Sequence, residues 1–539
     1  MSWSPARVAL YAAFMLAVVL RVPWLDYDLP QAPDIDGFKF VDEAQRMAQT
    51  GDLRPTDFQY PTGYTYLLTL GDRALGLQTA YTTHLAARSV SVFFGVATLW
   101  LLARWALAIA GPWAAAVAVA LVGFSPVHVA MSRTVAPDTM LTFWWSVGCW
   151  ALLRADPTRR RQLFGGACFG LATATKLSGL YALGWLPLVV FACSPRGTRA
   201  GKRIVSAGAA LLTAIVAFVV VDPWIVPLRR EYIQRFRMEM ILQSVGQVGH
   251  VQLGYFDYFL SGTRTPELPW LSTSLFGDLG QAALLLVAGV LAALIRRKQA
   301  WRPMAALYAL GFLVAVSAPG HIKALRLVLP VLPVLGLLAG MCVAEWLERP
   351  WSVHMRRLLY TALLVTLCVP LLNSADYVRR LAYPSSVARF REYAATHLPP
   401  GSTIFVEPFS LGDLRSLAVR VVELKGVGSR AYGLPRALGP NPERNPLVHG
   451  DIPDQLLALG VEYLVLHSYF EDALSATPDN LRWFPRSVAN RQSFDDAVER
   501  TAERVHLEPG FASGGMGPEI SVWRLRESKP KQPATQSAP

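Results

Sequence analysis

The chain is divided into a succession of apolar runs too long and too uniformly hydrophobic for the interior of a soluble domain, which restricts it to a membrane-spanning helical architecture. Inside a bilayer the backbone amides find no water, so a spanning run must close its hydrogen bonds within itself as an α-helix. The runs at 8–25, 85–102, 106–124, 140–153, 163–175, 179–193, 204–221, 279–295, 304–318, 325–344 and 358–372 predict about eleven spans. Composition agrees, with 53% hydrophobic and 17% charged residues. The first run follows one early cation, Arg7, and lacks an Ala-x-Ala cleavage pattern, so it predicts a retained span rather than a removed leader.

A net charge of +13 invites a nucleic-acid reading, but the basic residues sit in short clusters between apolar runs. That distribution argues against nucleic acid and for topology signals. With the N-terminus cytoplasmic, the clusters around Arg160, Arg203, Arg297 and Arg356 all face the cytoplasm, as the positive-inside rule requires. An odd number of spans then leaves the C-terminal region outside. The five cysteines lie in apolar segments without paired metal spacing and read as small hydrophobes.

Beyond residue 375 the pattern changes. Residues 386–397 are amphipathic at helical period, and 403–406, 420–424, 463–466 and 520–525 are short β-type runs. The expected organisation is a transmembrane domain at 1–374, with external loops at 26–84 and 222–278, then a small extracytoplasmic α/β domain at 375–527. The stretch 528–539, without aromatics, is expected to be a disordered tail.

Four segments carry polar residues where chemistry is plausible. The first, 33–53, is acidic at Asp34 and Asp36, continues as an amphipathic helix through Asp42 and Glu43 to Gly51, and leads to Tyr60-Pro61. A second, 125–143, contains His128, Arg133 and Asp138; a third, 172–179, contains Lys176 between two short apolar runs. The fourth is His321-Ile322-Lys323-Ala324-Leu325-Arg326, followed by Pro330 and Pro333. An ammonium at membrane depth is costly unless it faces an anion or a wet cavity. Bland roles compete at each position: a helix cap for Asp36, an aromatic belt for Tyr60, snorkelling for Lys176, interfacial anchoring for Lys323 and Arg326. His128 reads as a satisfied interfacial histidine.

Together these segments resemble the lipid-linked-sugar glycosyltransferases of GT-C architecture, and in particular glycosyltransferase family 39, which includes protein O-mannosyltransferases and bacterial aminoarabinose and mannose transferases. The resemblance implies a polytopic α-helical enzyme that moves a sugar from a polyprenyl-phosphate donor to a lipid, glycan or protein acceptor on the periplasmic face of the inner membrane. In that family a loop Asp is followed by Glu and then by an amphipathic helix ending in Gly. Counting back from Gly51 assigns that Asp to Asp36, with Gly37 in the usual Glu position. Asp36 is then the general base. Glu43, seven residues on and so on the same helix face, is a candidate to stand in for the missing acid.

The resemblance further implies that Tyr60 shapes the site, that Asp138 supports catalysis with Arg133 as its partner, and that Lys176 holds the donor phosphate with Lys323 or Arg326. His321 belongs to the same basic element. Asp138 would bind the acceptor, the sugar or a divalent ion; no dedicated cofactor motif is present. The rivals are a transporter or lipid flippase, with charges near the bilayer midplane and inverted repeats, and an inactive sugar-lipid binding protein, which Gly37 keeps open.

Overall fold

Small side chains at helix crossings set how closely the membrane part packs. The structure, a computed structural model, describes residues 4–29, 37–77, 79–154, 157–195, 197–245, 275–296, 299–317, 325–407, 417–423, 456–457, 460–468, 485–510 and 516–526. It divides into two units, the first comprising Met1–Ser244 and Leu253–Arg379, the second Val245–Gln252 and Arg380–Pro539.

The first unit is helical. Its elements are α1 (Pro5–Val19), α2 (Gly37–Thr50), α3 (Gly63–Leu75), α4 (Ala80–Gly123), α5 (Pro126–Met131), α6 (Asp138–Leu152), α7 (Arg159–Thr175), α8 (Leu180–Cys193) and α9 (Ala200–Val221). These are followed by α10 (Arg229–Val245), α11 (Leu275–Leu279), α12 (Ala283–Ile295), α13 (Trp301–Ser317), α14 (Leu332–Leu347) and α15 (Val353–Arg380). Among the described residues, five helical segments are long and apolar enough to cross a bilayer: Ala80–Gly123, Ala200–Val221, Leu275–Ile295, Leu325–Leu347 and Val353–Arg380.

Two boundaries differ from expectation. The runs at 85–102 and 106–124 were expected to part near residues 103–105; the two helices of α4 instead part at Gly111, whose φ of 80° and ψ of −174° precede Pro112. The first run was expected to stay helical to Leu25, yet α1 stops at Val19 and residues 20–29 form turns. Pro23 removes a helical donor and disfavours helix at Val22, and Arg21 is completely buried.

Lipid supplies no hydrophobic drive between helices, so close van der Waals approach has to hold them. On α7, a Cβ added at Gly166 would lie 2.3 Å from the Ala210 carbonyl oxygen, and one at Gly170 would lie 2.2 Å from that of Ala214. This small-xxx-small pairing seats α7 directly on α9. At the centre, α14 packs its buried Leu335, Leu338 and Ala339 against α4 and α12. The outer helices show the opposite pattern: Leu212 and Val220 on α9 and Leu358, Leu364 and Leu372 on α15 are exposed, as lipid-facing positions are.

The second unit is built on a five-stranded sheet in the order β2-β1-β3-β5-β4. Its strands are β1 (Thr403–Val406), β2 (Arg420–Glu423), β3 (Tyr463–His467), β4 (Ala502–Glu508) and β5 (Ile520–Leu525). β1 runs parallel to β2 and β3, while β5 is antiparallel to β3 and β4. Alternation along β3 serves both faces. Tyr463 and Val465 pack with Phe390 and Ala394 of α16 (Ser386–His397), and Leu464 and Leu466 with Phe494 and Val498 of α17 (Pro485–Thr501). The four expected runs are strands. The unexpected one, β4, lies at the sheet edge and buries only its two ends, Ala502 and Glu508, so it leaves no period-two apolar signal. The predicted tail lies outside the described residues.

One buried acid in the first unit opposes stability at neutral pH. Asp72 on α3 is 5% exposed, its Oδ2 has no hydrogen-bond partner, and burial pushes its carboxyl up to about 6. The folded state therefore holds that proton more tightly than the unfolded chain, and stability falls as pH rises from about 4 through 6. Asp72→Asn is expected to raise the melting temperature at pH 7.5 and to leave it unchanged near pH 3.5, measured by thermal unfolding in detergent.

Candidate active site

The polar centre of the first unit forms where three helix ends meet. α7 ends at Thr175, and Lys176 leaves it in extended conformation with φ −156° and ψ 136°, which throws the side chain off the helix line. Its Nζ donates to Asp138 Oδ1 at 2.8 Å. Asp138 opens α6, so its carboxylate also sits at the positive end of the helix dipole. The pair is nearly enclosed, with side-chain exposures of 12% for Lys176 and 3% for Asp138.

Above the ammonium lies the Tyr60 ring, whose centroid is 5.9 Å from Nζ, within cation–π range. Tyr60 packs against Phe40 of α2 at 4.9 Å, and Phe40 meets Tyr64 of α3 edge-on at 5.2 Å. The turn carrying Tyr60 can press this close because Gly63 has no side chain: a Cβ there would be 2.6 Å from the Ala174 carbonyl oxygen. Thus the Tyr60-Pro61-Thr62-Gly63 turn, the end of α7 and the start of α6 form one contact chain with the first turn of α2.

Of the residues singled out from sequence, Asp138, Lys176 and Tyr60 are brought together. Asp36, His321 and Lys323 lie outside the described residues; Asp36 is joined directly to Gly37, the buried first residue of α2. Arg326 is half-buried on a 3-10 segment, Leu325–Val331, that packs against α5 and α6. Arg133 does not pair with Asp138 as expected. Its guanidinium instead donates to the carbonyl oxygens of Leu20, at 3.2 Å, and Pro23, while Lys176 takes the carboxylate.

Glu43 is fully engaged elsewhere. It accepts from Arg46 at 2.9 and 3.0 Å and from the Thr56 amide and hydroxyl at 2.8 and 2.7 Å, tying α2 to the segment that leads to Tyr60. Partial burial works to raise its carboxyl, but the bonds from Arg46 and Thr56 outweigh it and hold the group below its ordinary range. His128 is buried and its Nδ1 lies 2.7 Å from Arg21 Nη2.

Sequence reasoning passed over Arg21, Arg88, Asp222 and Asp278. Asp278 caps α5, accepting from Ser125 Oγ at 2.5 Å and from the Val127 amide at 2.8 Å. Asp222 follows α9 and accepts from Tyr232 at 3.1 Å; burial raises its carboxyl against the opposing pull of Tyr232 and Thr62. Two of these carried a signal: Arg21 and Arg88 are arginines inside apolar runs, a combination that marks buried function or structure. Among the described residues, no group of three or more His, Cys, Asp or Glu side chains is placed to hold a metal ion.

The fold is similar to that of solved membrane transferases. ArnT from Cupriavidus metallidurans in the apo state aligns with a TM-score of 0.54 at 17% identity, covering 96% of this chain and 98% of that one. The fold is that of the GT-C membrane glycosyltransferases. ArnT bound to undecaprenyl phosphate aligns with a TM-score of 0.51 at 16% identity, again covering 96% of this chain and 98% of that one. The oligosaccharyltransferase of Archaeoglobus fulgidus, tethered to an acceptor peptide, aligns with a TM-score of 0.58 at 10% identity over 98% of this chain and 75% of that one. A family model described as dolichyl-phosphate-mannose-protein mannosyltransferase matches residues 73–226, the part of the GT-C fold that holds Asp138 and Lys176. A comparison with curated proteins finds no match.

Removing one partner of a buried ion pair leaves the other desolvated and unpaired, at a cost of about 3 kcal/mol or more. Asp138→Asn is therefore expected to lower thermal stability more than the double variant Asp138→Asn/Lys176→Met, which removes both charges. Comparing the two melting temperatures checks this.

Proposed function

We propose that the protein transfers a hexosyl or pentosyl group from a polyprenyl-phosphate donor to a hydroxyl or amine acceptor. The observation that carries this reading is the enclosed Lys176–Asp138 pair beneath Tyr60, in direct contact sequence with the helix whose N-terminus adjoins Asp36. Support comes from the GT-C fold, since ArnT is seen with undecaprenyl phosphate and the archaeal enzyme with dolichol-phosphate and an inhibitory peptide.

Asp36 acts as the general base. Its carboxylate takes the acceptor proton as the acceptor atom bonds to the anomeric carbon. The bond from that carbon to the phosphate oxygen breaks with its electron pair leaving on the polyprenyl phosphate. Phosphate is a good leaving group, so no separate acid is required. Lys176 stabilises the departing anion. Because Lys176 and Asp138 together carry no net charge, an arriving phosphate needs a second cation, and Arg326 or Lys323 fills that role, with Arg326 able to engage two phosphate oxygens. Tyr60 closes the ammonium from water. Glu43, already engaged by Arg46 and Thr56, serves the loop rather than the proton transfer. The one-sided cationic clusters support placing the N-terminus in the cytoplasm and the site with the second unit outside it, in a bacterial inner membrane.

The transporter reading calls for inverted repeats and polar groups at mid-bilayer, and the likeness to transferases favours it less. The test is transfer in proteoliposomes from a panel of undecaprenyl-phosphate monosaccharides, following release of undecaprenyl phosphate. Asp36→Asn is expected to reduce release about a hundredfold to ten-thousandfold with donor binding retained. An Asn caps a helix as well as Asp does, so full activity in that variant would mark Asp36 as a cap only. Lys176→Gln is expected to weaken binding of undecaprenyl phosphate at least tenfold, read by titration; unchanged binding would remove Lys176 from the phosphate site.

A further inference from the structure

The turn that places Tyr60 over Lys176 is held on both sides by one short segment from elsewhere in the chain. Two residues before Tyr60, the Phe58 ring meets Tyr232 of α10 edge-on at 5.3 Å. Two residues after it, the Thr62 hydroxyl donates at 3.3 Å to the carbonyl oxygen of Val221, the last residue of α9. The two contacts are linked through Asp222, which follows Val221 and whose Oδ1 accepts from the Tyr232 hydroxyl at 3.1 Å; the same carboxylate is under the pull of Thr62. Acid and phenol are both enclosed, at 0% and 2% exposure. A third contact lies further along. Trp224 Nε1 donates at 2.7 Å to the Tyr66 hydroxyl, which donates at 2.9 Å to the Leu53 carbonyl oxygen.

The choice of partner for Asp222 is informative. A buried carboxylate is met most strongly by a cation, and α10 carries Arg229, Arg230 and Arg237 within five residues of Tyr232. All three stay exposed, and the buried position goes to a phenol instead. Its hydroxyl reaches Asp222 while its ring packs on Phe58, so one side chain holds both flanks of Tyr60. The position of this grip is passed on to the ammonium by close packing. A Cβ at Gly63 would lie 3.2 Å from Val221 Cγ1 and 2.6 Å from the Ala174 carbonyl oxygen. The end of α9, the Tyr60 turn and the end of α7 are therefore stacked without spare room, and Lys176 follows Ala174 by two residues.

We propose that Asp222 and Tyr232 are positioning residues of the donor site: by gripping Phe58 and Thr62 they hold the Tyr60 ring over Lys176, and so set how firmly the ammonium binds a phosphate. The inference rests on the transferase reading in taking Lys176 as the phosphate ligand. A ring kept in place excludes water from the ammonium, and an ion contact out of water is the stronger one. A ring that swings away admits water and weakens it.

The test uses the full-length protein in lipid nanodiscs with Tyr232→Ala, Tyr60→Ala and the double variant. Hydrogen exchange is read first, because it needs no ligand. In Tyr232→Ala the amides between Phe58 and Tyr66 are expected to exchange about tenfold faster, while those of α16 keep wild-type rates. Unchanged exchange between Phe58 and Tyr66 would overturn the grip, whatever the affinity. Titration with undecaprenyl phosphate is read next. Tyr232→Ala and Tyr60→Ala are each expected to bind it about tenfold more weakly than wild type. The double variant is expected to bind no more weakly than Tyr60→Ala alone, because both substitutions act through one ring. Losses that multiply in the double variant would overturn the proposal, as would wild-type affinity in Tyr232→Ala. If Tyr232→Ala does not fold, Tyr232→Phe takes its place, keeping the ring on Phe58 but releasing Asp222. A severalfold loss of affinity that vanishes in the Tyr60→Ala background is then expected, and wild-type affinity overturns. Unchanged binding in Lys176→Gln would strike the transferase reading, and with it the link to phosphate, while the exchange result still decides whether Tyr232 and Asp222 hold the turn.

Discussion

The ion pair between Lys176 and Asp138 is the interaction on which the arrangement of the site depends. A buried pair of this kind stabilises a fold less well than apolar packing of the same volume, so its worth to the fold lies in fixing where three helix ends meet rather than in stability. The ammonium of Lys176 is enclosed and directed by a carboxylate oxygen at 2.8 Å. Each neighbour shapes that contact. The end of α7 frees Lys176 from helical geometry, Asp138 opens α6, and Tyr60 faces the ammonium with its π-face.

The scaffold achieves this placement through close backbone approach. Gly166 and Gly170 let α7 sit on α9, and Gly63 lets the Tyr60 turn sit on the last turn of α7. Any side chain at these positions would push α7 away from one neighbour or the other and move Lys176 with it. Substitutions there are accordingly expected to act on the site from a distance, through the register of helix ends rather than through contact with substrate.

Much of the fold was legible because the bilayer enforces it: long apolar runs have to be helices, and helices occur at all of them. Where a run contained a charge, length alone misled. Arg21 and Pro23 end α1 at Val19 although hydrophobic residues continue to Leu25, and the helix carrying Arg104 runs on to Gly111 before the break between the two expected spans. At the site, residue types and their segments were readable but partners were not. Arg133 stands five residues from Asp138 and suggested a local pair; backbone carbonyls of the turn after α1 claim it, and Lys176, distant in sequence, takes the carboxylate. Glu43 shows the same limit, since nothing in its spacing from Asp36 foretold that Arg46 and Thr56 would occupy it. In the second unit β4 was hidden because an edge strand exposing most of its residues has no reason to alternate.

The central claim is that Lys176 exchanges part of its bond to Asp138 for the donor phosphate. A cryo-electron microscopy structure of the protein with undecaprenyl phosphate tests it most directly. The account predicts a phosphate oxygen within hydrogen-bonding distance of Lys176 Nζ, on the side bounded by Tyr60, with Arg326 or Lys323 on a second oxygen. A phosphate bound elsewhere, with the Lys176–Asp138 pair still closed and Tyr60 still over it, would contradict the account.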